Sequence, residues 1–175
     1  MSEYGISIDP SFVATGIAIW DGQDYAGGET IKPPTGESGM LAMLEAIMLY
    51  IDYQQIKPGW IAIEPAYLGK NARTTMKLSE LIGALKWVFY DKFDTAIYVA
   101  ASVAQIDKAC GVPVGLPRKE RKRRIAAQMS ILCGAGKQQD EYDAALVGMW
   151  ALAVRNSERL RALADDQDAG RESGA

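Results

Sequence analysis

Histidine is absent from the 175 residues of this chain, and only two cysteines are present. The lack of histidine excludes Ser-His-Asp and Cys-His nucleophile systems, the usual zinc sites and histidine as a general base. Cys110 and Cys133 form no Cys-x-x-Cys pair, so neither a disulfide framework nor a metal-ligand spacing is indicated. Acid–base or metal chemistry in this chain must therefore use carboxylates, lysine, tyrosine or the two cysteines.

Long apolar segments are also missing. The longest apolar run, 144–154, has 11 residues, whereas a helix that spans a bilayer needs about 20. The N-terminus has no basic segment followed by an apolar one, so no secretory signal is expected. With 49% apolar and 23% charged residues, the composition is typical of a single globular domain. We expect a cytoplasmic protein that does not bind membranes.

Positive charge is scarce outside the middle of the chain. Residues 1–56 contain one basic and eight acidic side chains, and residues 138–175 contain four and eight. Residues 57–137 contain fourteen basic and six acidic side chains, although the net charge of the whole chain is −3. This distribution indicates a local surface for a polyanion. A solvated helix face is the alternative interpretation.

The hydrophobic pattern predicts an α/β fold. Alternation over residues 4–30 predicts two antiparallel strands and then a third. Apolar spacings of three and four predict helices over 38–56 and 75–90, with a buried strand at 60–64 between them. The remaining predicted elements are a strand at 96–100 and helices at 102–110, 118–132 and 139–155.

The order of these elements predicts one domain over residues 1–156, with a mixed sheet flanked by helices. Residues 157–175 are polar, acidic and rich in small side chains. We expect them to form a flexible C-terminal tail.

Four acidic residues stand where the predicted strands and the last helix could meet. Asp9 ends the first strand and Glu64 ends the strand after the first helix, and ligand sites in such sheets lie at carboxyl ends. Asp140 and Asp143 share one face of the last helix. Carboxylates without histidine suit Mg²⁺ or Mn²⁺, and a two-ion site can stabilise both oxygens of a phosphoryl displacement. Taken singly, each acid could instead be a helix cap, a helix-dipole charge or a turn residue.

Three segments are similar to motifs of the RuvC-type Holliday junction resolvases. Segment 9–16 has the Asp-Pro opening followed by Thr-Gly, and segment 64–83 has Glu, an aromatic three residues later, Lys-Asn-Ala, Lys-Leu and a glycine at position 83. Segment 140–146 resembles the last motif, Asp-x-x-Asp-Ala before an apolar helix. The similarity covers residues 3–155 in the family's order and spacing.

The resemblance implies a ribonuclease-H-like fold, in which a mixed five-stranded sheet is flanked by helices. It also implies a homodimer whose two sites nick opposing strands of a four-way DNA junction, as a Mg-dependent endodeoxyribonuclease of DNA recombination and repair. By the same resemblance Asp9, Glu64, Asp140 and Asp143 would be catalytic residues that hold two Mg²⁺ ions, for which Mn²⁺ would substitute. This mechanism requires no protein general base.

Other motif positions fall on side chains suited to DNA. Tyr67 stands where the family has an aromatic that stacks on an unpaired base, as in single-strand recognition generally. Lys122 is the best match to a functional lysine of the family, and Lys119 is the second. The residues expected to contact DNA, besides Tyr67, are Lys70, Asn71, Arg73, Lys77, Lys119, Arg121 and Arg124. A half-buried loop tyrosine and solvated helix faces are the alternatives.

Two other functions are consistent with the same motifs. A related ribonuclease-H-like nuclease for flaps, other branched DNA or RNA hybrids would use the same four carboxylates. A non-catalytic junction-binding protein would share the fold, but clustered carboxylates would repel its DNA. The sequence identifies neither a preferred cleavage sequence nor a branch-migration helicase as partner. The apolar faces of the helices at 38–56 and 75–90 are candidates for the dimer interface.

Overall fold

The computed structural model describes residues 3–37, 39–66, 72–100 and 102–172, with the backbone alone over 163–172. Five strands and five helices lie in these ranges. The strands are β1 (Tyr4–Asp9), β2 (Thr15–Asp21), β3 (Asp24–Ile31), β4 (Trp60–Ile63) and β5 (Ala96–Val99). The helices are α1 (Met40–Gln54), α2 (Ala72–Phe93), α3 (Val103–Ala109), α4 (Arg118–Cys133) and α5 (Gln139–Glu172). The predicted order of elements is confirmed.

The five strands form one mixed sheet in the order β3-β2-β1-β4-β5. β1 is antiparallel to β2, and β2 is antiparallel to β3, whereas β1, β4 and β5 run parallel. The carboxyl ends of β1 and β4 therefore lie at the same edge of the sheet. At that edge Asp9, the last residue of β1, pairs with Gly16 of β2. The mixed five-stranded sheet predicted from the sequence is confirmed.

Alternating side chains of β1 contribute to two separate cores. Ile6 and Ile8 are buried in one cluster with Met43 of α1 and with Leu85 and Phe89 of α2. Successive side chains of a strand point to opposite faces of the sheet. The intervening positions of β1, including its final residue, therefore face the side that α1 and α2 do not cover.

That second face packs against α3, α4 and α5. Trp20 lies in the core there and donates a hydrogen bond from its indole nitrogen to the Ser7 hydroxyl at 2.9 Å. A Cβ at Gly148 of α5 would overlap the Trp20 indole. Because Gly148 has no side chain, α5 lies directly on the sheet, and Asp9 projects from the face that α5 covers.

The last helix is longer than the sequence predicted. The expected end near Arg155 is wrong, since α5 continues to Glu172. Arg155 donates a hydrogen bond from Nη2 to Glu3 Oε2 at 2.6 Å. Tyr98 donates one from its hydroxyl to Glu158 at 3.4 Å. The segment beyond is rich in Ala, Leu, Arg and Glu, which are strong helix formers. Residues 157–162 are exposed, and an exposed helical segment needs no apolar stripe, so the polar composition gave no sign of a helix. The division into a domain at 1–156 and a flexible tail at 157–175 stays a prediction.

In the described part of the chain, no helix is both long enough and apolar enough to cross a membrane.

Candidate active site

Two of the predicted site residues are placed side by side by the sheet. Asp9 is the last residue of β1, and Glu64 directly follows β4, which runs parallel to β1. The backbone N–H of Glu64 donates a hydrogen bond to the carbonyl oxygen of Ile8 at 2.9 Å, which extends the β1–β4 pairing to the edge. The two carboxyl groups therefore leave neighbouring strands at one end of the sheet and lie within hydrogen-bonding reach of each other.

The turn between β1 and β2 is closed by side-chain hydrogen bonds. The Ser11 N–H donates to the Thr15 hydroxyl at 3.0 Å, and that hydroxyl donates to the Ser11 carbonyl at 2.9 Å. Thr15 is followed by Gly16, the residue that pairs with Asp9. This turn fixes the position of Gly16 next to the end of β1.

The first turn of α5 brings two more carboxylates to this edge. Ligand oxygens of Asp9, Asp140 and Asp143 all lie within 4.8 Å of one another, and Asp143 is buried. Asp143 accepts a hydrogen bond from the Gln139 amide at 3.0 Å, and its other oxygen lies 3.5 Å from Lys122 Nζ. The residues that the spacing placed on one helix face thus converge with the end of β1.

Glu64 lies outside this tight group of three but lines the same cleft. The cleft has a volume of about 530 Å³, and Asp9, Glu64 and Asp143 line it together with Arg121 and Lys122. Its further walls come from α3, from the loop before α4 and from the start of α4. All four carboxylates predicted from the sequence are therefore brought to one site.

Burial and crowding raise the pKa values of two of these acids, Asp9 and Asp143. Burial, and then the negative charge of Glu64 and the hydrogen bond with it, raises the pKa of Asp9 well above its usual range. Burial also raises the pKa of Asp143, where the charge of Glu64 adds to the effect and Lys122, Gln139 and Arg121 oppose it. A buried group of like charges is unfavourable unless a cation balances it. The clustered carboxylate oxygens of this site are the ligands expected of a divalent metal centre.

The side chains of the basic helix α4 lie in three environments. Arg118, Lys119, Arg123 and Arg124 are exposed, and Arg124 pairs with Glu120 one turn earlier at 3.5 Å. Lys122 points into the cleft, where it contacts Asp143. Ile125 and Met129 are buried in the core and hold the helix in place.

Arg121 is placed differently from the exposed cations of α4. Its guanidinium is half-buried, donates hydrogen bonds to the buried Asp107 of α3 and lies 3.9 Å from Glu64. The sequence predicted a DNA contact for Arg121 and gave no role to Asp107. An acid between Ile106 and Lys108 has the pattern of an ordinary solvated helix position, so no local signal indicated its burial.

The remaining predicted DNA-binding residues belong to the second motif. Arg73 and Lys77 are exposed on the first two turns of α2, which begins after the carboxyl end of β4. Tyr67, Lys70 and Asn71 lie outside the described residues. The role of all five residues in DNA binding stays a prediction.

The fold of this chain is similar to that of several solved structures, although its sequence identity to them is low. No protein-family model matches the chain, and no curated protein matches it in sequence. Thermus thermophilus RuvC in complex with a Holliday junction substrate aligns with a TM-score of 0.67 at 16% identity, over 87% of this chain and 95% of that one. The fowlpox virus Holliday junction resolvase aligns with a TM-score of 0.52 at 12% identity, over 83% and 94%. The yeast mitochondrial Holliday junction resolvase aligns at 0.51 and 13%, over 87% and 78%. The ribonuclease-H-like fold predicted from the sequence is confirmed.

Proposed function

We propose that this protein is a metal-dependent endodeoxyribonuclease that resolves four-way DNA junctions by paired, symmetric nicks. The observation that supports this function is the convergence of Asp9, Asp140 and Asp143 at a cleft that Glu64 also lines, beside a basic helix. The fold around that cleft is shared with a RuvC structure that holds a Holliday junction substrate. Such an activity would serve DNA recombination and repair.

The donor set fits Mg²⁺, with Mn²⁺ as a substitute. Hard carboxylate oxygens are the ligands these ions prefer, and a cation would offset the burial and the repulsion that raise the pKa values of Asp9 and Asp143. When bound, two Mg²⁺ ions would supply the activation of water and the charge stabilisation needed for phosphodiester hydrolysis. The chain holds Asp9 and Glu64 on adjacent strand ends and Asp140 and Asp143 on one helical turn. No side chain has to act as a general base.

Lys122 is the proposed functional lysine. Its ammonium lies 3.5 Å from Asp143 and is partly exposed toward the cleft. A cation at this position balances part of the acidic cluster and can donate hydrogen bonds to a phosphate oxygen. Lys119 lies on the exposed part of the same helix and suits a phosphate contact further from the cluster.

The DNA-binding surface is proposed to follow α4 and the start of α2. Arg118 lines the cleft, and Lys119 and Arg124 continue the positive charge along α4. Arg73 and Lys77 add positive charge at the start of α2. Exposed Lys and Arg side chains give most of the affinity for DNA through its phosphates. The acidic net charge of the chain therefore does not oppose binding at this surface.

A homodimer is the proposed active form, because paired nicks need two sites. Large apolar side chains are exposed on the helices predicted to form the interface: Tyr53 of α1 is 82% exposed, and Trp87 and Tyr90 of α2 are 70% and 65% exposed. Trp87 and Tyr90 are three residues apart and share one helix face. Exposed apolar groups of this size are typical of protein interfaces.

The proposed function is tested by comparing cleavage of several nucleic-acid substrates that share one sequence. A labelled four-way junction, a flap, a linear duplex and an RNA–DNA hybrid are incubated with the protein and Mg²⁺. We expect cleavage of the junction alone at both of two opposing strands. Equal cleavage of all branched or hybrid substrates would favour a broader ribonuclease-H-like nuclease, and tight junction binding without cleavage would favour a non-catalytic binder.

A further inference from the structure

A buried ion pair lies next to the carboxylate cluster and belongs to none of the sequence motifs. Asp107 of α3 is 4% exposed. Arg121 of α4 donates from Nε to both of its carboxylate oxygens, at 3.1 and 2.8 Å, and from Nη2 to Oδ1 at 2.8 Å. This geometry is the strong, charge-assisted contact of a guanidinium with a carboxylate. The pair joins α3 to α4 on the wall of the cleft.

The same guanidinium stops short of Glu64. Arg121 Nη2 lies 3.9 Å from Glu64 Oε1, which is close enough for attraction between charges and too long for a hydrogen bond. The negative charges of Asp107, Glu64 and Asp143 all act on Arg121. At that distance the Glu64 carboxylate receives no direct hydrogen bond from Arg121.

We infer that Asp107 is a positioning residue, which holds Arg121 away from Glu64 and leaves the Glu64 carboxylate available for a divalent cation. The inference rests on the proposed metal site. A half-buried cation needs a partner, and without a charge at position 107 the nearest carboxylate is Glu64. A direct Arg121–Glu64 ion pair would compete with a metal ion for the same oxygens. The positive charge left unbalanced would also repel a cation.

This role differs from a phosphate contact. The Arg121 side chain is 19% exposed, and the edge of its guanidinium that carries Nε and Nη2 is bound to Asp107. Lys119 on the same helix is exposed and suits a phosphate contact better. Arg121 therefore affects the metal site through its distance from Glu64, and Asp107 sets that distance.

The test is direct Mn²⁺ binding, measured by titration calorimetry on the purified, metal-free chain without DNA. We expect Asp107→Asn to weaken Mn²⁺ affinity about 10–100-fold, as is typical when a supporting partner of a metal ligand is lost. Adding Arg121→Gln to that variant removes the competing cation and restores most of the affinity. Glu120→Gln removes one negative charge from the exposed face of α4, and it leaves Mn²⁺ affinity unchanged.

Circular dichroism and thermal unfolding establish that each variant is folded. The double variant guards against loss of folding, because neutralising both members of a buried pair costs less than neutralising one. Asp107→Asn binding with wild-type affinity would overturn the inference. A folded double variant as weak as Asp107→Asn would also overturn it, since a merely structural role predicts no rescue. Absence of Mn²⁺ binding by the wild type would overturn the metal site itself, and this inference with it.

Discussion

Gly16 of β2 and the backbone carbonyl of Asp140 meet so closely that a Cβ on Gly16 would overlap the carbonyl oxygen. Gly16 also pairs with Asp9 across the sheet. The absence of a side chain at this position lets the first turn of α5 lie directly on the end of β1. The distance between the Asp9 and Asp140 carboxylates thus depends on a residue that carries no functional group.

Gly16→Ala should therefore lower the rate of cleavage strongly and the stability of the fold only moderately. Moving the first turn of α5 away from β2 misplaces Asp140 and Asp143, and a displacement of about 1 Å costs about 100-fold in rate. Overpacking of this kind costs about 1–3 kcal/mol of stability. Single-turnover cleavage of a four-way junction in Mg²⁺ measures the first effect, and thermal unfolding measures the second.

The matched control is Gly83→Ala. Gly83 lies in α2, and nothing lies within 4 Å of a Cβ built on it. Replacing a helical glycine with alanine stabilises the fold by about 0.5–1 kcal/mol. Gly83 shares the α2 face of Trp87 and Tyr90. Rates are therefore compared at a protein concentration at which both proteins are dimers, and there this variant should cleave at the wild-type rate. Full activity in Gly16→Ala would show that close packing at Gly16 is not needed.

Asp9→Asn should stabilise the metal-free protein at neutral pH. A carboxyl whose pKa is raised on folding, as for Asp9, stabilises the fold fully below its unfolded pKa of about 3.9. That contribution is lost as the pH rises through the folded pKa. The neutral amide avoids the loss. For a chain of this size, each kcal/mol recovered raises the Tm by about 2–4 °C.

The measurement is Tm from pH 4 to pH 8 in EDTA, with Asp24→Asn as a control at an exposed acid. The Asp9→Asn curve should fall less with pH than those of the wild type and Asp24→Asn. Mg²⁺ should raise the Tm of the wild type and have less effect on Asp9→Asn. Parallel pH curves for the wild type and Asp9→Asn would contradict the electrostatic account of the site.

Arg118→Ala and Lys119→Ala should weaken junction binding and reduce its salt dependence. Each lost phosphate contact lowers the slope of log K against log salt by about 0.9. Fluorescence anisotropy over a range of salt concentrations in EDTA gives the slope. Lys57→Ala removes an exposed charge before β4, at the opposite edge of the sheet, and should leave the slope unchanged. An unaltered slope in both α4 variants would mean that DNA binds elsewhere.

Trp87→Glu should convert the proposed dimer to a monomer. A charge in the apolar face that Trp87 shares with Tyr90 would be buried without a partner on association. Light scattering coupled to size exclusion measures the mass. Ile131→Glu changes an apolar side chain of α4 that is 88% exposed, and it should leave the dimer intact. A wild-type protein that is monomeric at micromolar concentration would contradict the dimer.

Most of the fold could be predicted because its signals are local. Alternation along β1 and β2 and the short apolar runs of β4 and β5 depend on neighbouring residues only. Asp9 and Glu64 could be placed together because parallel strands end at one edge of a sheet. Asp140 and Asp143 could be placed on one helix face because of their spacing.

The features that the sequence did not predict depend mostly on contacts between distant parts of the chain. Asp107 has an ordinary helix pattern, and its partner Arg121 lies on another helix. The need for glycine at position 16 arises only once α5 packs over β2. The length of α5 was missed because the sequence beyond Asn156 is polar and has no apolar stripe to detect.

The most direct test of the central claim is the position of the nicks. A four-way junction with a fixed centre, labelled in turn on each strand, is cut in Mg²⁺ by the wild type and by Asp9→Asn, and the products are mapped to the nucleotide. The account predicts nicks by the wild type at symmetric positions on two opposing strands, and none by Asp9→Asn, which should still bind the junction. Nicks without symmetry, or cleavage that survives in Asp9→Asn, would contradict it.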